Sequence, residues 1–152
     1  MKRYVFFSAV FLILTGTGCF TSTTLINQTA EQVAIKGYDT VAYFTEGMAV
    51  PGSPDFQYRW QDAIWYFASA GHLELFKAAP EKYAPQYGGY CAWAMAGGNL
   101  ANIDPGVFNL VDEKLYLNYS NGIQKKWLEA RDEYIEQADE AWLDKAVELG
   151  AE

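Results

Sequence analysis

The stretch Pro80-Glu-Lys-Tyr-Ala-Pro-Gln-Tyr-Gly-Gly-Tyr-Cys-Ala92 restricts this chain more than any other part of it. Two prolines, two glycines, three tyrosines and a cysteine share these few positions. Each proline fixes one φ angle, and each glycine admits a backbone shape or a close approach that a side chain forbids. A run so restricted specifies one local conformation. It delivers the thiol of Cys91 to the start of an apolar segment, which makes Cys91 the first candidate for chemistry.

The N-terminus reads as a signal peptide over residues 1–18. Lys2 and Arg3 precede an apolar core from Val5 to Leu14, about ten residues long and too short to span a bilayer. Small residues lead from Thr15 to Gly18, directly before Cys19. Lipoprotein signal peptidase cuts between a small residue and a cysteine, so Cys19 is the expected lipidation site; plain secretion is the alternative. Either way the protein is expected to be exported, periplasmic or held at the membrane by that anchor. No later run is apolar enough for a membrane helix. With Lys2 and Arg3 removed, nine basic residues face 19 acidic ones, a net charge of −10. Such a surface repels nucleic acid and offers no basic face to anionic lipid, so no nucleic-acid partner is expected. Nine of the acids lie from Glu129 onward and read as the solvated face of a helix. If Cys19 is acylated, Cys91 is the one free thiol of an exported chain, and must be buried, metal-bound or reactive. If not, a Cys19–Cys91 disulfide is open.

The rest reads as one domain over residues 33–149, joined to the leader by a tether over 19–32 that lacks sustained periodicity. Asp39 is expected to cap a helical turn that turns Val41 and Phe44 inward. Gly47 to Pro54 is a loop. Phe56 to Trp60 alternates like a strand, Gln61-Asp62 turns the chain, and Ala63 to Ala68 returns as the second strand. Ser69 caps a helix to Lys77 that carries His72, Leu75 and Phe76. Tyr90 to Met95 reads as helical, ending at Gly97-Gly98. Val107–Val111 and Leu115–Tyr119 form a second hairpin around Asp112-Glu-Lys114. A last helix opens at Asn121-Gly122, its buried stripe marked by Ile123, Trp127, Tyr134, Ala138 and Trp142. The class is therefore α+β: a small antiparallel sheet from two β-hairpins, packed with short helices and a long C-terminal helix. At roughly 1.5–3 kcal/mol per large side chain buried, the aromatic residues stabilise such a core without a structural metal.

Three segments in order, Lys36-Gly-Tyr-Asp-Thr-Val-Ala-Tyr-Phe44, Ile64-Trp-Tyr-Phe-Ala-Ser-Ala-Gly-His-Leu-Glu-Leu-Phe76 and the Pro80–Ala92 run, resemble the YHS-domain family in its exported bacterial, lipoprotein-like branch. The likeness extends from about Ala34 to Trp142. It implies a small α+β domain linked to heavy-metal handling. Metal-linked members carry Phe-Cys-Ser, two residues, Cys, three residues, then Phe. Here Ala68 stands at the first cysteine, His72 at the second, and Phe76 completes the spacing. Ala42 stands at the cysteine of their Asp-Pro-Val-Cys-Gly-Met opening.

Read from the residues, Cys91 with Met95 four places on is a soft pair suited to Cu(I), and His72, the only histidine, would add an imidazole. Met48 is a weaker fourth candidate. The leading expectation is a non-catalytic exported domain that binds a soft metal ion, with copper in view, through Cys91, His72 and Met95 at the cell envelope. The alternative is a metal-free module that holds a small molecule or partner protein, with Tyr38, Asp39, Tyr87, Tyr90 and Trp93 as pocket-lining residues. A thiol enzyme built on Cys91 and His72 is the third reading. No Gly-x-Ser-x-Gly, His-Glu-x-x-His or phosphate loop supports other catalysis, and no enzymatic activity is expected.

Overall fold

Each of the two hairpins closes on a two-residue turn in which both residues carry positive φ: Gln61 (47°) and Asp62 (58°), then Asp112 (49°) and Glu113 (59°). Such turns match the right-handed twist of the strands they join. The first links β1 (Ser53–Trp60) to β2 (Ala63–Phe67), with Trp60 opposite Ala63. The second links β3 (Phe108–Val111) to β4 (Lys114–Leu117), with Phe108 opposite Leu117. Lys114, expected in the turn, is thus the first residue of β4. The hairpins do not merge into one sheet; each is its own two-stranded sheet. This computed structural model describes residues 24–151, so the expected signal peptide and Cys19 lie outside the described residues.

Among the described residues, six α-helices surround the hairpins: α1 (Thr40–Thr45), α2 (Ala70–Ala78), α3 (Pro80–Tyr83), α4 (Ala92–Ala96), α5 (Asn121–Glu129) and α6 (Arg131–Glu148). The fold is α+β. Local chemistry sets most of the boundaries. Asp39 Oδ1 accepts from the amides of Val41 and Ala42, and Ser69 Oγ from that of His72. Pro80 opens α3, where its missing N–H costs nothing. Two helices differ from the sequence reading by more than one residue. The single last helix is two, broken at Ala130 (φ −142°, ψ 47°), because Ser120 caps α5 and Asp132 and Glu133 favour a fresh N-terminus just beyond the break. The helix expected from Tyr90 begins only at Ala92, with Cys91 extended (φ −60°, ψ 118°) at its N-cap.

The segment 24–32, read as tether, belongs to the body. Asn27 donates its amide to Gly88 O and accepts from Ile35 N, while Ala34 and Ile64 bond across a parallel bridge with Gln32. Ile26 is buried. The Tyr87-Gly88-Gly89 turn makes this docking possible. A Cβ on Gly88 would lie 1.8 Å from Leu25 O, and one on Gly89 2.2 Å from Ile35 Cδ1.

Strand β4 divides the core. Leu115 and Leu117 face a larger cluster with Tyr43, Trp65, Phe67 and Phe76, while Tyr116 faces a smaller one with Tyr87, Met95 and Trp127. All three strand residues are buried because helices and loops cover both faces. Tyr43 donates its hydroxyl to Pro105 O, so its polar end is satisfied inside the larger cluster.

Gly88→Ala should destabilise the protein by more than about 3 kcal/mol in urea unfolding, because backbone rather than a movable side chain blocks the methyl. Gly98→Ala, with positive φ but open space, should cost only about 1 kcal/mol. Equal losses would remove the close approach as the reason for Gly88. A second expectation concerns alkali. Burial, followed by the nearby Asp139 and Asp112, pushes the Tyr116 phenol up to about 12. Burial likewise pushes Tyr43 and Tyr87 upward, the latter helped by its bond to Asp139. These phenols are held neutral by the fold, so their contribution is complete below the unfolded value near 10 and is lost as pH rises through the folded values. Unfolding free energy should therefore decline above about pH 10. Tyrosinate absorbance should show a late group of phenols that ionise together with unfolding.

Candidate functional site

The Asp39 carboxylate is fully buried and has four hydrogen-bond partners. Oδ1 accepts from Val41 N at 2.9 Å and Ala42 N at 3.3 Å, the helix-capping pair expected from the sequence. Oδ2 accepts from Ala68 N at 2.8 Å, at the end of β2, and lies 2.6 Å from His72 Nδ1 on α2. An imidazole that donates Nδ1–H to a carboxylate presents the lone pair of Nε2 on its other side. Ser69 capping fixes the start of α2, so the ring position is set from both ends.

Nε2 faces an open rim. Thr45 Oγ1 is 3.3 Å away and Glu46 Oε1 3.7 Å away, and both residues are exposed. The Thr45 hydroxyl also lies 3.2 Å from Val41 O, to which it donates, so it turns an oxygen lone pair outward beside Nε2. The His72 side chain itself is 16% exposed, enough for its outer nitrogen to meet an incoming species. An imidazole nitrogen beside a carboxylate and a hydroxyl oxygen can coordinate a borderline metal ion or exchange a proton.

The sulfur atoms lie elsewhere. Cys91 is free and buried, and its Sγ is 3.6 Å from Asn118 Oδ1, which also accepts from Trp93 N. Met95 is wholly buried against Tyr116, Trp127 and Ala138. The Met95 amide bonds to Cys91 O, so the expected four-residue relation exists in the backbone. Cys91 itself is extended rather than helical, and the two side chains join opposite core clusters. Among the described residues no hydrogen bond or ion pair joins either sulfur residue to His72. Nor does any group of three or more His, Cys, Asp and Glu side chains there form a ready-made metal cage. The donor chemistry accordingly fits a metal at the His72 rim better than at Cys91, whose thiol already has a protein acceptor. Met48 is exposed.

Of the aromatic candidates, Tyr87 lines a cleft of about 540 Å³. Tyr90 is nearly buried and donates its hydroxyl to Thr24 O, which fastens the N-terminal segment. Trp93 lies beneath Lys126 Nζ at 5.9 Å. Tyr38 forms an isolated bridge with Pro51. The sequence reading missed Glu46 and Thr45. Their only signal was local: Asp39 capping opens a short helix that ends beside them, though Asp39 itself is extended and shares no helical face with Glu46. Asn118 carried no such signal, since only tertiary folding brings it to Cys91.

Neither the curated proteins nor the solved structures yield a match to this chain. A scan against protein families yields one, over residues 41–87. That span contains Thr45, Glu46 and His72, begins just after Asp39 and ends before Cys91 and Met95. The segment that carries the oriented imidazole therefore lies within a match to the YHS domain.

Proposed function

We propose that this protein is an exported, non-catalytic metal-binding module that takes its ion at Nε2 of His72, with Glu46 as the second protein donor. One observation carries the reading: the buried carboxylate of Asp39 lies 2.6 Å from Nδ1. Histidines that ligate metals commonly donate their other N–H to a carboxylate, which fixes the tautomer and makes the ligating nitrogen more basic. The YHS match, which spans Glu46 and His72, agrees with a metal-binding module. Imidazole with carboxylate suits Cu(II), Zn(II) or Ni(II), and the general affinity order makes copper the strongest binder of these. Two donors on an exposed rim leave coordination positions to water or to a partner's ligands. Such a site holds an ion exchangeably, which suits delivery at the cell envelope better than storage.

Cu(II) titration of the mature protein, followed by calorimetry, tests this. Wild type should bind one ion, and His72→Ala should abolish that binding. Asp39→Asn should weaken it by about 10–100-fold. Glu46→Gln, on the exposed rim and remote from the core, should weaken it without changing thermal stability. Cys91→Ser should bind like wild type. Loss of uptake in Cys91→Ser with retention in His72→Ala would transfer the site to the thiol and Met95, and Cu(I) would then be the relevant ion.

Export and anchoring form the second half of the proposal. The described body begins at Thr24, five residues after Cys19. An acyl anchor on Cys19 would hold the body within about 18 Å of the bilayer surface, the reach of that many extended residues. Mass spectrometry of the membrane fraction should find an N-terminal diacylglyceryl cysteine at position 19, and Cys19→Ala should move the protein to the soluble fraction. An unmodified Cys19 in secreted protein would leave export standing without the anchor.

A further inference from the structure

The Pro85–Gly88 run and α6 enclose a cleft that the metal reading does not use. Its volume is about 540 Å³, within the range of small-ligand sites. Trp60 from β1 and Trp142 from α6 are half-buried in its walls, and Tyr87 joins them. The rings of Tyr87 and Trp142 meet nearly edge to face, 6.2 Å between centroids. Among the described residues, two carboxylates, Glu81 and Asp139, reach the same cleft against a single cation, Lys114.

Tyr87 is held there at a cost. Its backbone is left-handed (φ 57°, ψ 37°), a region that ordinary side chains avoid, and Gly88 next to it is pressed against Leu25 O. Strain of this kind persists only where the surroundings over-determine it, and it gathers at binding sites. Here it sets the phenol so that its hydroxyl donates to Asp139 Oδ1 at 2.8 Å. That bond fixes the orientation of an otherwise exposed carboxylate beside the aromatic rings.

We propose that this cleft binds a small organic cation, an ammonium or quaternary ammonium headgroup. The chemistry is specific in sign. Aromatic faces attract cations through their quadrupoles, and tryptophan does so best. The oriented Asp139 and the nearby Glu81 complete the complement, while an anionic ligand would meet two carboxylates and one lysine. The alkyl groups of a quaternary ammonium would pack against Trp60 and Trp142 without requiring hydrogen-bond donors.

The test uses the mature protein, choline and ethanolamine as cations, and 3,3-dimethylbutan-1-ol as the uncharged isostere of choline. Indole N–H signals in two-dimensional NMR and tryptophan fluorescence report occupancy. At least one cation should bind saturably, and the neutral isostere should bind at least about tenfold more weakly than choline. Asp139→Asn retains an acceptor for the Tyr87 hydroxyl and so keeps the cleft, yet should weaken cation binding about tenfold. Trp142→Ala should weaken it as well, with circular dichroism confirming the fold. Excess EDTA should leave the cation response unchanged, which separates this site from the metal at His72. Equal binding of choline and its isostere, an unchanged affinity in Asp139→Asn, or no saturable response to either cation would each overturn the proposal.

Discussion

One buried carboxylate joins three elements of this fold. Asp39 closes the N-terminus of α1, accepts from the end of β2 at Ala68, and holds α2 through His72. Charge taken out of water is costly unless hydrogen bonds replace the lost hydration. Here backbone amides supply most of that replacement, and backbone amides cannot move without unfolding their elements. The carboxylate is thus satisfied only when helix, hairpin and second helix are all in place. That coupling makes the imidazole rigid. Its geometry is a consequence of folding and does not rest on side-chain packing at an exposed rim.

A second constraint acts at the glycine pair. The chain before Ile35 could not lie across the Tyr87-Gly88-Gly89 turn if either glycine had a side chain. The Pro80–Ala92 run therefore serves mainly to admit a neighbouring backbone, and in doing so it turns the Tyr87 ring toward α6. Two of its three tyrosines are fasteners: Tyr87 to Asp139 and Tyr90 to Thr24 O. The thiol that the same run delivers to the core ends beside Asn118, with its helix starting one residue later.

What could be read from the residues follows the range of the interaction. Caps act over two or three positions, so Asp39 and Ser69 were legible, as was the turn at Gln61-Asp62. Alternation from Phe56 to Trp60 marked β1, in which the aromatic residues are the half-buried ones. The break at Ala130 was not legible, because alanine carries no helix-stopping signal; the competing N-terminal charges of α6 decide it. The tether reading of 24–32 failed for a related reason. Those polar residues are held by hydrogen bonds to distant backbone, and periodicity does not record such partners. Candidate-site legibility divides the same way. Asp39 and His72 could be named singly from type, but their union spans 33 positions and depends on the hairpin between them. The Cys91–Met95 pair illustrates the converse error: four-residue spacing implies a shared face only if both residues are helical, and Cys91 is not.

The division of the core by β4 explains why the chain carries two distinct candidate sites. The larger cluster is built chiefly from the hairpin β1–β2, α1 and α2, and on its outer rim stands His72. The smaller cluster requires α4, α5 and α6, and its edge, where Tyr87 meets Trp142, forms the aromatic cleft. The YHS match ends at Tyr87, the first buried residue of the smaller cluster in chain order. Residues beyond the match therefore do more than extend the domain. By packing α6 against the strained tyrosine they close a cavity that the matched span alone does not enclose, since Asp139 and Trp142 lie outside it. The oriented histidine belongs to the YHS span, and the cleft belongs to its junction with the C-terminal helices. Substitutions in α6 should accordingly separate the two sites, because no α6 side chain is among the hydrogen-bond partners of Asp39 or His72.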